Sequence, residues 1–262
     1  MLSSACISSD ICSSFYSQST HYPGTLMSFW QKLMDAVTDT ATSTLSCIVE
    51  AIRTVFEGDP ETRRKVAFSV AVIALSAKMA KADGIVTETE IKAFQQVFDY
   101  PEEEAKNVAR LYNLAKQDVA GYQAYAEKLS GLCSSGKPQC TMLENVLDGL
   151  FHIAKADGAI HEKEMTFLED VAQIFHMSDE QFERVTARHV YVDGRDPYIV
   201  LGVSRKDDFQ TIRKHYRSLV QEHHPDRLIA RGLPASFQVI ANDRMARYNA
   251  AYAAIERELR AA

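Results

Sequence analysis

The chain has 262 residues, 46% hydrophobic and 24% charged, with a net charge of -6. That length suffices for one large domain or two modest ones with cores of their own, and the composition excludes wholesale disorder. Residues 193–262 carry 12 Lys and Arg against 9 Asp and Glu, while the preceding 192 carry 17 against 26. This is a basic module on an acidic body, and its excess is too small to indicate nucleic-acid binding.

In chain order, residues 1–26 are Ser-rich, lack Lys and Arg, and show no sustained apolar run. They read as a disordered tail, or as an extension upstream of a true start at Met27, and not as a secretory signal. A helical segment is expected over 27–58, where Phe29, Trp30, Leu33, Met34 and Val37 form an apolar stripe. Lys32 is the only basic residue in positions 1–52, so attraction to anionic lipid would be weak. Packing of the stripe on the helical body or on a second protomer is the favoured expectation. Membrane association and a homodimer stay open.

Asp59-Pro60 gives an N-cap and a first-turn proline for a helix over Glu61 to Ala82. Its apolar run, Val66 to Ala77, has 12 residues closed by Lys65 and Lys78. A bilayer-spanning helix needs about 20, so this one is expected in a core. Thr87 and Glu90, and again Ser178 and Gln181, have capping-box spacing. Pro101 and Glu102 to Glu104 mark another first turn. Sustained alternation of period two is absent, so the predicted fold class is all-α. The cysteines (Cys6, Cys12, Cys47, Cys133, Cys140) have neither zinc nor framework spacing. Free thiols in a reducing compartment are expected, with a Cys133–Cys140 bridge as the lesser alternative.

An internal repeat links Lys81-Ala-Asp-Gly-Ile-Val-Thr-Glu-Thr-Glu90 to Lys155-Ala-Asp-Gly-Ala-Ile-His-Glu-Lys-Glu164. Each copy follows an apolar helix and precedes an amphipathic one, which predicts two related helical hairpin pairs. Gly84 and Gly158 stand where a left-handed helix stop is needed. Aligned on those glycines, Glu90 and Glu164 fall at the bidentate position of an EF-hand loop. The first two ligand positions, however, hold Met79 and Lys81 in one copy and Ile153 and Lys155 in the other. Asp83, Glu90, Asp157 and Glu164 are therefore only weak metal candidates. The favoured reading is that they cap turns and helix starts, and no cofactor is expected.

After the break Tyr191 to Arg195, Asp196-Pro197 starts a short helix that Gly202 ends. A second helix, about Asp208 to His223, is expected to bury Phe209, Ile212, Tyr216 and Leu219 and to expose Arg213, Lys214 and Arg217. Pro225 forces that helix to stop by His224, leaving His224 and Asp226 exposed in a loop. Leu233-Pro234 precedes a last helix, with Phe237, Ile240, Ala241, Tyr248, Ala251, Tyr252 and Ile255 as its apolar surface. The expected division is a tail 1–26, a helical segment 27–58, a body 59–190 and a module 191–262.

The repeated Ala-Asp-Gly-x-[Ile/Val]-x-x-x-Glu pattern resembles the TerB (tellurite-resistance B) helical domain. The frame Asp196-x-Tyr198-x-x-Leu201-Gly202-Val203, Ile212-x-x-x-Tyr216-Arg217-x-Leu219-Val220, His224-Pro225-Asp226 and Asn249-Ala-Ala-Tyr252 resembles the J domain of DnaJ-family co-chaperones. The order of the two, and Arg227-Leu-Ile-Ala-Arg-Gly-Leu-Pro234 after the tripeptide, is similar to the DjlA group. The J-domain resemblance implies a DnaK-type chaperone as partner, with Arg213, Lys214 and Arg217 against an acidic surface of its ATPase domain. His224, Pro225 and Asp226 would couple substrate binding to hydrolysis. Asp208 departs from the family, which often has a small residue there. DjlA-group proteins often begin with a membrane-spanning segment, and none is legible here. The resemblance implies a cytoplasmic co-chaperone with no catalytic residue of its own, whose body targets or regulates it and which has client proteins. The alternative is a divalent-cation-binding or stress-response scaffold. On the residues alone, the basic face could be a solvated helix surface. His224 with Asp226 could be a hydrogen-bonded turn or half of a catalytic or metal site, for which no nucleophile motif or third ligand is found.

Overall fold

A computed structural model describes residues 60–83, 88–97, 105–118, 121–133, 141–190, 196–231 and 237–261, with single positions at 48, 50, 52 and 233. The tail, the Phe29 to Val37 stripe, Asp59, Thr87, Pro101 to Glu104, the break at 191–195, Pro234 and all five cysteine side chains lie outside the described residues. So do the side chains of Asp83 and Glu90. Among the described residues the chain is all-α and without strands.

Helix α1 (Pro60–Asp83) is the axis of the body. Every residue from Val66 to Met79 is buried, because α3 (Ala105–Gln117), α4 (Tyr122–Cys133), α5 (Thr141–Ala154) and α6 (Glu162–Ile174) all pack on it. A helix apolar on all sides must be wrapped in this way. Lys78, which closes the apolar run in the sequence, is itself buried, 4% exposed. Its ammonium donates to the Asp118 carbonyl at 3.0 Å and sits 4.7 Å from the centre of the Tyr125 ring, and the Tyr125 hydroxyl donates to Asp118 at 2.8 Å. A charge enters the core only with such partners.

α2 (Glu88–Val97) and α7 (Asp179–His189) both pack on α5. α1–α2 and α5–α6 are the two repeated hairpins. In the second copy Gly158 adopts φ 102° in the turn, Asp157 accepts the Ala159 amide at 3.2 Å, and Glu164 accepts the His161 amide at 2.9 Å. α7 opens with the Ser178–Gln181 capping box, both bonds formed.

The C-terminal module comprises α8 (Pro197–Leu201), α9 (Phe209–His223), α10 (Pro225–Ala230) and α11 (Gln238–Ala261). Asp196 caps α8, and Gly202 ends it in the left-handed region at φ 68°. The module's own core holds Tyr198, Leu201, Ile212, Leu219, Tyr248, Ala251 and Ile255. Leu228, Leu233, Phe237, Ile240 and Ala241 instead join the body's core, with Phe237 edge-on to Phe68 at 5.2 Å. α11 therefore crosses from one core into the other. No helix of the described residues is long and apolar enough to cross a membrane.

Candidate functional site

α9 starts where the Asp208 carboxylate accepts the Thr211 amide at 3.0 Å and the Thr211 hydroxyl at 2.7 Å. The departure at this position thus makes a stronger N-cap. Ile212, Leu219 and His223 face inward. Phe209 and Tyr216, expected to be buried, are only half-buried. They flank Tyr252, with ring centres 6.1 and 4.2 Å away, and the Tyr216 hydroxyl donates to Asn249 at 2.8 Å. This aromatic stack holds α9 against α11. Arg213, Lys214 and Arg217 all stand exposed, the first two adjacent and each three or four residues before Arg217, and make no ion pair among the described residues.

α9 ends at His224, whose backbone turns extended (φ -58°, ψ 133°) because the following proline disfavours helical angles. The tripeptide is not a loop, as expected, but the start of α10: Pro225 occupies its first position and is buried, anchoring the turn. Nδ1 of His224 accepts the Asp226 amide at 3.3 Å, so the proton of the neutral ring sits on Nε2. The side chains of His224 and Asp226 remain 51% and 84% exposed. Arg227 bonds the Gln221 carbonyl at 3.2 Å. A shallow groove of about 550 Å³ runs beside the tripeptide, lined by Tyr216, Arg217, Val220, Gln221, His224, Asp226 and Arg227. Arg217 joins the basic face to the tripeptide along it. Arg227, quoted in the sequence only as the start of the stretch that follows the tripeptide, also lines this groove.

Behind His224 lies a buried polar cluster that sequence reasoning did not find. Arg244 of α11 bonds Nδ1 of His223 at 2.7 Å, Asn145 at 2.8 Å and the Asp148 carboxylate. Arg188 of α7 bonds the Tyr248 hydroxyl at 2.7 Å, Glu144 at 2.7 Å and both Asp148 oxygens at 3.3 Å. His189 reaches Asp148 at 2.6 Å. Burial alone would raise the Asp148 carboxyl, but Arg188 and Arg244 outweigh it and hold the group well below the usual range. Burial, and then Arg244, lowers His223 to about 3, and burial lowers His189 to about 4. Both rings are neutral at pH 7, so two guanidiniums balance two carboxylates. The signal was Asp148 itself, a carboxylate inside the otherwise apolar stretch Val146 to Phe151.

Of the weak metal candidates, Asp157 pairs with His161 at 3.3 Å besides its backbone bond, and Glu164 is buried in its helix cap. Among the described residues no three His, Cys, Asp or Glu side chains converge as a metal site.

Residues 69–187 match the family model described as tellurite resistance protein TerB, and residues 196–255 match the DnaJ domain. The chain is similar to the Co-chaperone protein DjlA of Photobacterium profundum, with 28% identity over 74% of this chain and 79% of that one. It is also similar to the proteins of that name from Aliivibrio fischeri (27% identity; 77% and 82% covered) and Photorhabdus laumondii (28%; 74% and 80%). No solved structure matches it.

Proposed function

The chain is a DnaJ-family protein of the DjlA-like type, a TerB domain followed by a J domain, and on that premise we propose that it binds a DnaK-type chaperone and stimulates its ATP hydrolysis. The observation that carries this reading is an exposed His224 and Asp226 on a buried Pro225, one groove away from an unpaired basic helix face. Arg213, Lys214 and Arg217 supply the cationic surface for an acidic partner, and unpaired exposed cations steer association without needing to break internal bonds. His224, Pro225 and Asp226 act at the partner's ATPase domain, and the chain does no bond chemistry of its own. The TerB domain, which we place at 59–190, targets or regulates the J domain at 191–262, and the protein works in the cytoplasm on client proteins.

The test is single-turnover ATP hydrolysis by a DnaK-type chaperone with the full chain added. The wild type should accelerate it, and His224→Gln should abolish the acceleration while leaving the helical spectrum and melting temperature unchanged. An undiminished rate with His224→Gln would refute the assigned role.

A further inference from the structure

His224 stands exposed between two buried neighbours, His223 and Pro225, and Leu228 in the helix that follows lies in the body's core. The His224 backbone opens α10, its carbonyl accepting the amides of Arg227 and Leu228, each at 3.0 Å. Where the exposed imidazole points therefore depends on what holds these neighbours. Leu228 is held by apolar packing, and His223 by a polar relay that begins in the other domain. A guanidinium can only donate, so Nδ1 of His223 accepts from Arg244 at 2.7 Å. The same guanidinium is fixed by Oδ1 of Asn145 at 2.8 Å and by the Asp148 carboxylate, both on α5. Because its N–H groups form a rigid planar fork, two acceptors on α5 set the direction of the bond to His223. Asn145, Asp148, His223 and Arg244 are each no more than 4% exposed, so solvent does little to replace these bonds. The His223 ring also lies 5.8 Å from that of Tyr248, whose hydroxyl accepts from Arg188 of α7.

We propose that Asn145, Asp148 and Arg244 are positioning residues for His224, so that the TerB domain sets the pose in which the tripeptide meets the chaperone. This rests on the chaperone reading above and adds that the body is part of the switching site. A group that acts by contact needs its supporting shell locked, and here that shell is completed by α5. Docking and switching then separate. Arg213, Lys214 and Arg217 stand on an exposed face outside the relay, so breaking the relay lowers stimulation and leaves docking as it was.

The test uses the full chain well below its melting temperature. His223→Leu stays apolar and buried but cannot accept from Arg244. Asp148→Leu/Arg244→Met removes the relay from the body's side, and His223→Gln keeps an acceptor. Hydrogen exchange at the Arg227 and Leu228 amides should accelerate about ten-fold or more in the first two variants, beyond any change in α1, which reports global opening. In single-turnover ATP hydrolysis by a DnaK-type chaperone, the same two should lower maximal stimulation about ten-fold with the half-saturating concentration unchanged. His223→Gln should stay near the wild type in both measurements. The proposal is overturned by unaltered exchange in His223→Leu, by equal acceleration in α1, by equal damage in His223→Gln, or by a loss confined to the half-saturating concentration. A wild type that leaves hydrolysis unaccelerated overturns the chaperone reading instead, and the exchange pattern still decides whether the body holds the tripeptide.

Discussion

At the scale of single residues, Arg244 has more depending on it than any side chain in the basic face. It is 2% exposed and touches His223, Asn145 and Asp148, so one guanidinium from the J domain neutralises a carboxylate deep in the TerB domain. Two ions withdrawn from water gain little net stability as a pair, but removing one partner strands the other. Arg244→Met should therefore lower the unfolding free energy by about 3–5 kcal/mol in urea titration. Asp148→Leu/Arg244→Met, which removes both charges, should recover part of that loss. A single variant costing less than about 1 kcal/mol would mean that water reaches the cluster. Glu144 is a weaker member, because its side chain is 25% exposed.

At the scale of elements, α11 carries the connection between the domains. Phe237 just before it and Ile240 and Ala241 in its first turn lie in the body's core, and its later turns place Tyr248, Ala251 and Ile255 in the module's own. A helix shared by two cores transmits a loss in either. Phe237→Ala, which empties the contact with Phe68, should cost about 3–5 kcal/mol, and Ile255→Ala about 2–5. Both should move one common unfolding transition when near-ultraviolet and far-ultraviolet signals are compared. Two separated transitions in either variant would show that the cores melt independently. This sharing was not legible in the sequence. Periodicity says that one face of residues 237–255 is buried, but not against what. The same limit hid Lys78, whose partner Asp118 lies 40 residues away, and Arg244, 96 residues from Asp148. Local signals were readable because their partners are three or four residues off or less: the Ser178 capping box, Asp196 before α8, Gly202 after it, and the stop of α9 at His224. Reading the tripeptide as a loop failed for a related reason. Pro225 forbids the preceding helix to continue but is itself well suited to begin the next one.

At the scale of the whole molecule, the junction behind His224 makes the stability of the pair of domains depend on pH. His223 and His189 titrate near 6.5 in an unfolded chain but at about 3 and about 4 in the folded one. Between those limits the unfolded chain binds protons that the native protein refuses, so stability rises with pH. The contribution is complete above pH 6.5 and is lost as pH falls toward 4 and then 3. Each histidine can add a slope of up to about 1.4 kcal/mol per pH unit in that window. Asp148 acts in the same direction at lower pH, since its carboxyl is held below its unfolded value of 3.8 by Arg188 and Arg244. Urea unfolding between pH 7 and pH 4.5 should therefore show a steadily falling midpoint. His223→Gln should remove about half of the slope, because glutamine keeps an acceptor for Arg244 without gaining a proton. A slope unaltered by that change would place the acid sensitivity elsewhere. Protonated His223 would face Arg244 and Arg188 with like charge. On acidification His189, with the higher folded value, takes a proton first, and His223, the residue before His224, follows at lower pH. Chaperone stimulation should fall over the same pH range as the unfolding midpoint, and less steeply in His223→Gln.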